Sequence, residues 1–461
     1  MKDPDEGWSE DDGGALELYP VESPGTPAVD PTKCLLPAWN SMAFFTVQPG
    51  RSFHSVQEVF AADKPRLSIS GWYHAAEPPK GSENATLSQL QSRRGGGAGN
   101  GGVDDDVADF TPFPSTVAAV VSAAAAATPS DDKGKGIAID QDDEDEPLGP
   151  DEADLEYLAR WVNPEYLNPH NVAQIREKME EDSSVQMREF LLPRVAAAIR
   201  ASTRAEDEEG KVGKGRVPAR TAGVGGGWRA VGPTHKQRYL LYDGDGDGDG
   251  DGDGGAAAVA KDAKGKGVEE LAPAGLLLRD LRTELFQSEA FARLLTALTG
   301  LRPTAHKGEV RRFRPGLDYT VAHHGILTVD PRLDATMCMV DDEGEDASSA
   351  WDFGEVGGFE CYIAADEEGS AAGAATAEVY KATGEEDEDE LLSVSATFNT
   401  LSLVHRDEGL MRFVKYVGHL APSSRWDVAM QYTVEAVDDS DDDDEEEEEE
   451  DDDDDDEEDA Q

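Results

Sequence analysis

Read only for its apolar and polar positions, the chain divides into two patterned regions with an unpatterned stretch between them. Residues 1–78 alternate short apolar runs with turn residues. ALELY (15–19), LLPAW (35–39), MAFFTV (42–47) and RLSISGWY (66–73) each predict a strand, punctuated by Pro, Gly and Asn. Short strands without a helix read as part of a sandwich or barrel rather than a whole one. Residues 79–150 carry SRRGGGAGNGGVDDD, an alanine run, DDKGKG and DQDDEDEP. That composition predicts a disordered low-complexity linker, because it buries too little apolar surface to offset the entropy of ordering.

The second patterned region spans 151–437. Leu155, Leu158, Trp161 and Val162 recur at helical spacing and stop at Asn163-Pro164. NVAQIREKMEEDSSVQMREFLLP predicts further helices ended by Pro193, and residues 276–301 an amphipathic helical stretch. Strands return in DYTVAHHG, ATMCMVDD, GGFECYIA, TLSLVHRD, MRFVKYVGHL and RWDVAMQYTV. The fold class predicted is mainly β with helices (α+β). A disordered insert is expected at 243–268, where DGDGDG repeats. It lacks the acidic residue a calcium loop needs, since the twelfth position from Asp243 is Gly254. Residues 438–461 predict a solvated acidic tail.

The two β regions share a weak repeat. Gly13-Gly14-ALELY parallels Gly357-Gly358-FECY, and LLPAWNSMAFFTV parallels SATFNTLSLV with Asn40 against Asn399. Phe53 aligns with Phe413, His54 with Val414, and Arg66 with Arg425. On this reading the second copy has lost any chemistry that depends on the histidine.

Composition narrows the classes. The net charge of −57 and a hydrophobic content of 38% make the folded part shorter than 461 residues. Such acidity argues against direct nucleic-acid binding, which wants Lys and Arg, while the tail suits basic proteins. Cys34, Cys338 and Cys361 are odd in number and far apart, pointing to a reducing compartment rather than a disulfide framework. No apolar leader and no window of about eighteen apolar residues is present, so neither secretion nor a membrane partner is expected. The sequon at Asn84 then reads as accidental.

Candidate chemistry lies in FHSVQEVFAADKPRLSISGW (53–72). Period-two alternation puts Arg66, Ser68, Ser70 and Trp72 on one strand face. A turn at AADKP would bring His54 opposite Arg66 to Ser68. An imidazole can hold a metal while a guanidinium clamps the far carboxylate of a bound dicarboxylate, as in Fe(II) sites built on two His and one carboxylate. A surface His beside an ion-pairing Arg fits the spacing as well.

The surrounding blocks settle on one family. SFHSVQEVFAADKPRLSISGWYH, GGALELY, LLPAWNSMAFFTVQPG, RWVNPEYLN, WRAVGPTHKQRYLLYD, WDFGEVGGFECYIAADE, NTLSLVHRDEGLMRFVKYV and SRWDVAMQY resemble the iron- and 2-oxoglutarate-dependent prolyl hydroxylases that modify a small-subunit ribosomal protein. The resemblance implies double-stranded β-helix (jelly-roll) units. The first, 1–78, is the C-terminal half of a dioxygenase domain. The second is a complete non-catalytic, degradation-type copy preceded by helices. It makes His54 the distal iron ligand and Arg66 the 2-oxoglutarate clamp, supported by Ser68. It implies Fe(II), 2-oxoglutarate and O2, with ascorbate, peptidyl-proline dioxygenase activity on a ribosomal protein, a link to translation termination, and a cytoplasmic or nuclear location.

The family site also needs a His-x-Asp, and His54 is the first histidine in the chain. The one His-x-Asp, His405-Arg406-Asp407, lies in the second copy and reads as a decoy; His323-His324-Gly325 supplies no carboxylate. The expectation is therefore an N-terminally truncated member, inactive alone. The alternatives are a non-enzymatic regulatory protein that binds partners through its C-terminal domain and tail, and an acidic chaperone for basic proteins.

Overall fold

The computed structural model describes residues 7–23, 25–48, 50–73, 76–77, 110–116, 149–216, 218–244, 271–323, 326–364 and 390–436. The acidic tail, the sequon, His324-Gly325, most of the linker and nearly all of the 243–268 insert lie outside the described residues.

The first unit contains β1 (Leu16–Tyr19), β2 (Val21–Ser23), β3 (Thr26–Pro27), β4 (Lys33–Leu35) and β5 (Phe53–Val56). They form a three-stranded sheet, β4-β1-β5, and a separate β2-β3 ladder. The ALELY strand is as expected. LLPAW contributes only Leu35, and 36–47 and 66–73 form no strand. The hairpin that pairs His54 with Arg66 is also corrected. β5 pairs with β1 instead, with His54 opposite Leu18. A strand needs a neighbour for its N–H and C=O groups, and among the described residues the sheet ends at β4 and β5. Leu67, Ile69 and Trp72 accordingly stand 81%, 104% and 76% exposed.

One short piece of the expected linker is folded. β6 (Thr111–Pro112) pairs with the second unit, and Phe110 and Phe113 are buried beside it. Two phenylalanines in an otherwise Gly-, Ala- and Asp-rich stretch supply the apolar area their neighbours lack.

The second unit opens with α1 (Glu152–Leu158), capped by Asp151, and α2 (Pro169–Asp182), capped by Asn168. The predicted helix through Ser184 to Phe190 is instead β7 (Ser184–Arg188). Pro193 does not end a helix. It starts α3 (Pro193–Glu209), because a first-turn N–H has no intrahelical partner and proline loses nothing there. Next come β8 (Trp228–Val231) and β9 (Gln237–Tyr242). α4 (Ala274–Asp280) runs through a π-helical turn, Leu281–Phe286, toward α5 (Glu289–Thr299). The remainder is β10 (Leu301–Phe313), β11 (Tyr319–Thr320), β12 (Arg332–Met339), α6 (Glu345–Asp352), β13 (Glu360–Ala364), β14 (Glu390–Val394), β15 (Thr400–Arg406), β16 (Leu410–Val414) and β17 (Arg425–Ala436).

These make three layers. A large antiparallel sheet runs β11-β9-β10-β17-β12-β15-β7, with β6 and β8 attached at β10 and β9. Its dry face carries Leu333, Met337, Leu401, Trp426, Val428 and Tyr432, packed under the helices through Leu278, Phe286, Phe291 and Leu295. Each such fully buried side chain stabilises by about 1.5–3 kcal/mol. Alternation turns Arg311, Asp334, Thr336, Arg406, Arg425 and Asp427 to the other face, where the small sheet β14-β13-β16 meets them with Glu360 and Arg412. Between the two sheets lies a buried layer of charge.

Candidate functional site

β1 and β5 set the geometry of the site. Glu17, Tyr19, Phe53 and Ser55 share one face, and Leu16, Leu18, His54 and Val56 the other. The first face docks on the second unit. Glu17 accepts from Tyr19 Oη at 2.7 Å and Ser55 Oγ at 2.9 Å and pairs with Arg220. Phe53 stacks on His235 with centroids 5.8 Å apart. Glu58 accepts from Tyr416 Oη and the His419 backbone N–H, both at 3.0 Å, and lies 2.8 Å from His419 Nδ1. This seam leaves a cleft of about 410 Å³ lined by Tyr19, Ser55, Arg220, Arg238, Tyr319 and Tyr416. Burial, reinforced by Arg238 and Arg314, pulls the Arg220 guanidinium down to about 10.

His54 lies on the opposite, exposed face. Its ring meets Phe45 edge-on at 4.9 Å and its Nδ1 is 3.4 Å from the Ser52 carbonyl. Arg66 approaches the same sheet from outside any strand. Its Nε donates to the Gly14 carbonyl at 2.8 Å, and its Nη1 donates to Ser68 Oγ at 3.2 Å. The fold thus brings Arg66 and Ser68 together at the start of β1. His54 sits opposite Leu18, four residues further along, roughly 13 Å at strand rise.

An Fe(II) centre of the facial type takes two histidines and a carboxylate. Among the described residues no group of three His, Cys, Asp or Glu side chains is close enough to hold a metal ion. His54 offers one ligand, so the described residues do not by themselves fit the ion. Arg66 and Ser68 do present the donors a carboxylate needs.

The second unit repeats this local geometry. Gly13 bridges Val59 as Gly357 bridges Val417. Gly13 and Gly14 have φ of +66° and +69°, and Gly357 and Gly358 +71° and +74°. A Cβ on Gly357 would sit 1.9 Å from the Tyr416 carbonyl, so only glycine fits there. Asn40 and Asn399 both have φ of 51°. Arg425 Nη1 donates to the Gly358 carbonyl at 2.5 Å, matching Arg66 on Gly14.

This register corrects the repeat alignment by two residues. With Gly13 on Gly357, the pairs Leu16–Val56 and Glu360–Val414 coincide, as do Leu18–His54 and Tyr362–Arg412. The residue at the His54 position is therefore Arg412, and Val414 matches Val56. Arg412 Nη2 donates to Glu360 Oε1 at 2.6 Å and to Thr336 Oγ1 at 2.5 Å. Arg311 and Arg425 approach the same carboxylate within 3.5 and 3.6 Å. Burial alone would raise the Glu360 carboxyl, but the guanidiniums of Arg412, Arg425 and Arg311 outweigh it and hold the group at about 2. In the His-x-Asp of this unit, Arg406 pairs with Asp334 at 3.0 Å. Reading the sequence missed this charge layer. Its signal was there, as Arg425-x-Asp427 and Asp334-x-Thr336 alternating within otherwise apolar strands.

Residues 153–441 match the family model described as oxoglutarate and iron-dependent oxygenase degradation C-term, and residues 3–74 match the 2OG-Fe(II) oxygenase superfamily. A prolyl 3,4-dihydroxylase OGFOD1 from Ostreococcus tauri is 34% identical over 438 residues, covering 94% of this chain and 71% of its own length. A prolyl 3-hydroxylase OGFOD1 from Xenopus laevis is 26% identical over 445 residues; the match takes in 89% of this chain and 61% of the relative. A solved prolyl hydroxylase from Trichoplax adhaerens, in complex with a hypoxia inducible factor oxygen degradation domain peptide fragment, overlaps 58% of this chain and 90% of its own, with 12% identity and a TM-score of 0.31.

Proposed function

The chain belongs to the 2-oxoglutarate- and iron-dependent prolyl hydroxylase family, and from that premise we propose that its first unit carries part of a peptidyl-proline dioxygenase site. In this reading His54 is an iron ligand. Arg66, with Ser68, holds the distal carboxylate of 2-oxoglutarate. The second unit is a copy without catalytic function. The substrate is a proline of a small-subunit ribosomal protein, O2 is the oxidant, and ascorbate keeps the iron reduced. The supporting observation is the matched bond of Arg66 and Arg425 to the carbonyls of Gly14 and Gly358. It makes the units comparable residue by residue, and the comparison sets His54 against a buried Arg412.

With one histidine in place, the chain assayed alone makes no succinate from 2-oxoglutarate with Fe(II); sustained turnover refutes this. In any form of the protein that does turn over, His54→Ala abolishes succinate formation. Arg66→Ala there raises the half-saturating 2-oxoglutarate concentration by tenfold or more. Near-normal activity in both variants would overturn the assignment. Mass spectrometry of small-subunit ribosomal proteins incubated with that form tests the substrate.

A second reading, partner binding by the second unit without chemistry, draws on the filled charge layer between its sheets. Arg412, Glu360, Arg311 and Asp427 fill that space with buried ion pairs. A second unit that retains its partners when His54 and Arg66 are both replaced supports it.

A further inference from the structure

The folded piece of the linker is held like a bound peptide. Among the described residues β9 covers β10 only at Arg311 and Arg312, which leaves the edge of its N-terminal half to another segment. β6 fills that edge antiparallel, with Thr111 opposite His306 and Pro112 opposite Ala305. The Phe113 N–H donates to the Thr304 carbonyl at 3.0 Å, and Ser115 N–H to Glu289 Oε1 at 2.8 Å. Two aromatic anchors flank the ladder. Phe113, 1% exposed, meets His306 edge-on at 4.9 Å and lies parallel to Tyr432 at 6.4 Å. Phe110 lies under Arg332 at 4.9 Å and near Lys307 at 5.7 Å. Strand addition at an edge with pockets for alternating side chains is a common way to read extended peptides.

One observation points to an exchangeable ligand rather than a fixed strand, and a second to the charge of that ligand. His306 is 8% exposed, yet its Nδ1 has no hydrogen-bond partner beneath the segment. A buried polar nitrogen left unpaired marks an imperfect fit. The cations over Phe110 also complement the acidic run that precedes it, Asp104-Asp105-Asp106 with Asp109.

We propose that the edge of β10, with the pockets formed by His306, Tyr432, Lys307 and Arg332, is a recognition site for an extended acidic peptide carrying Phe-x-Pro-Phe-Pro, which residues 110–114 occupy in cis. Being tethered on both sides, the cis segment competes at an effective concentration of millimolar order. A partner peptide must displace it, and one that offers His306 Nδ1 a partner gains an advantage.

The test uses a fluorescent peptide of residues 103–117, VDDDVADFTPFPSTV, titrated onto the whole chain. A Phe110→Ala/Phe113→Ala variant that melts cooperatively should bind it at least tenfold more tightly than the unaltered chain. Equal affinity, or no binding by the folded variant, overturns the proposal. Phe110→Ala alone, which leaves the core anchor Phe113 in place, should show a smaller gain. A further arm keeps the native segment. Protease sites introduced before residue 103 and after 117 are cut, and the labelled peptide is added in excess. Exchange on dilution supports the site, and a cut segment that stays bound without exchange refutes it.

Discussion

Replacing Glu360 by Gln should be among the most costly single substitutions in the second unit. The carboxylate is 1% exposed and receives Arg412 at 2.6 Å, with Arg311 and Arg425 within 3.5 and 3.6 Å. Holding it from 4.5 down to about 2 is worth about 3 kcal/mol at neutral pH, since each pH unit of displacement is about 1.4 kcal/mol. Leaving buried guanidiniums short of a counter-charge gives a similar figure, about 3–5 kcal/mol. Urea unfolding followed by the buried Trp351 and Trp426 reads the loss. The sign of the pH dependence follows from the depressed value. The contribution is present in full above the unfolded carboxyl's pKa and is lost as pH falls toward about 2. The gap between wild type and Glu360→Gln should therefore narrow below about pH 4.5, by about 1.4 kcal/mol per pH unit. Removing Arg412 together with Glu360, as Glu360→Gln/Arg412→Met, should recover at least about 1 kcal/mol relative to additive losses. A loss under about 1 kcal/mol at pH 7, or a gap that widens on acidification, would refute the reasoning.

Gly357→Ala should destabilise by about 2 kcal/mol or more in the same assay, because its Cβ meets the Tyr416 carbonyl at 1.9 Å and φ is +71°. Asn399 is buried at φ 51°, accepting from Leu191 N–H at 2.9 Å and donating to the Leu191 carbonyl at 3.1 Å. Asn399→Ala should cost about 2 kcal/mol, and Asn399→Gly less, since glycine tolerates the backbone. Glu58→Ala removes the bonds to Tyr416 and His419 that pin the first sheet. Trypsin should then cleave after Lys33 and Arg51 several-fold faster while the second unit keeps its unfolding midpoint.

Much of this protein was legible in order along the chain. Strands with one apolar and one polar face announced themselves by alternation, as at Leu16–Tyr19, Thr400–Arg406 and Arg425–Ala436. Of the helices under the large sheet, α1, α2, α4 and α5 did so by their 3.6 period, because an element's own pattern records which face it buries, whereas α3 was hidden behind Pro193, which reads as a stop. The paired glycines and the two asparagines of the repeat were also visible, since a left-handed backbone restricts residue type at the position itself. RLSISGWY shows the limit. Its alternation is sound, yet a strand exists only where another chain segment completes the ladder, and no spacing within it says whether one does.

What the sequence determined alone was the α+β class, the two patterned regions, and His54, Arg66 and Ser68 as the residues worth following. Tertiary structure decided how they relate. It put His54 opposite Leu18 rather than Arg66, tied Arg66 to Gly14, moved the counterpart of His54 from Val414 to Arg412, and found a seat for Phe110 and Phe113. Periodicity is local and survives a shift of register by two residues unchanged. Only the hydrogen bonds between distant strands choose among the registers it allows.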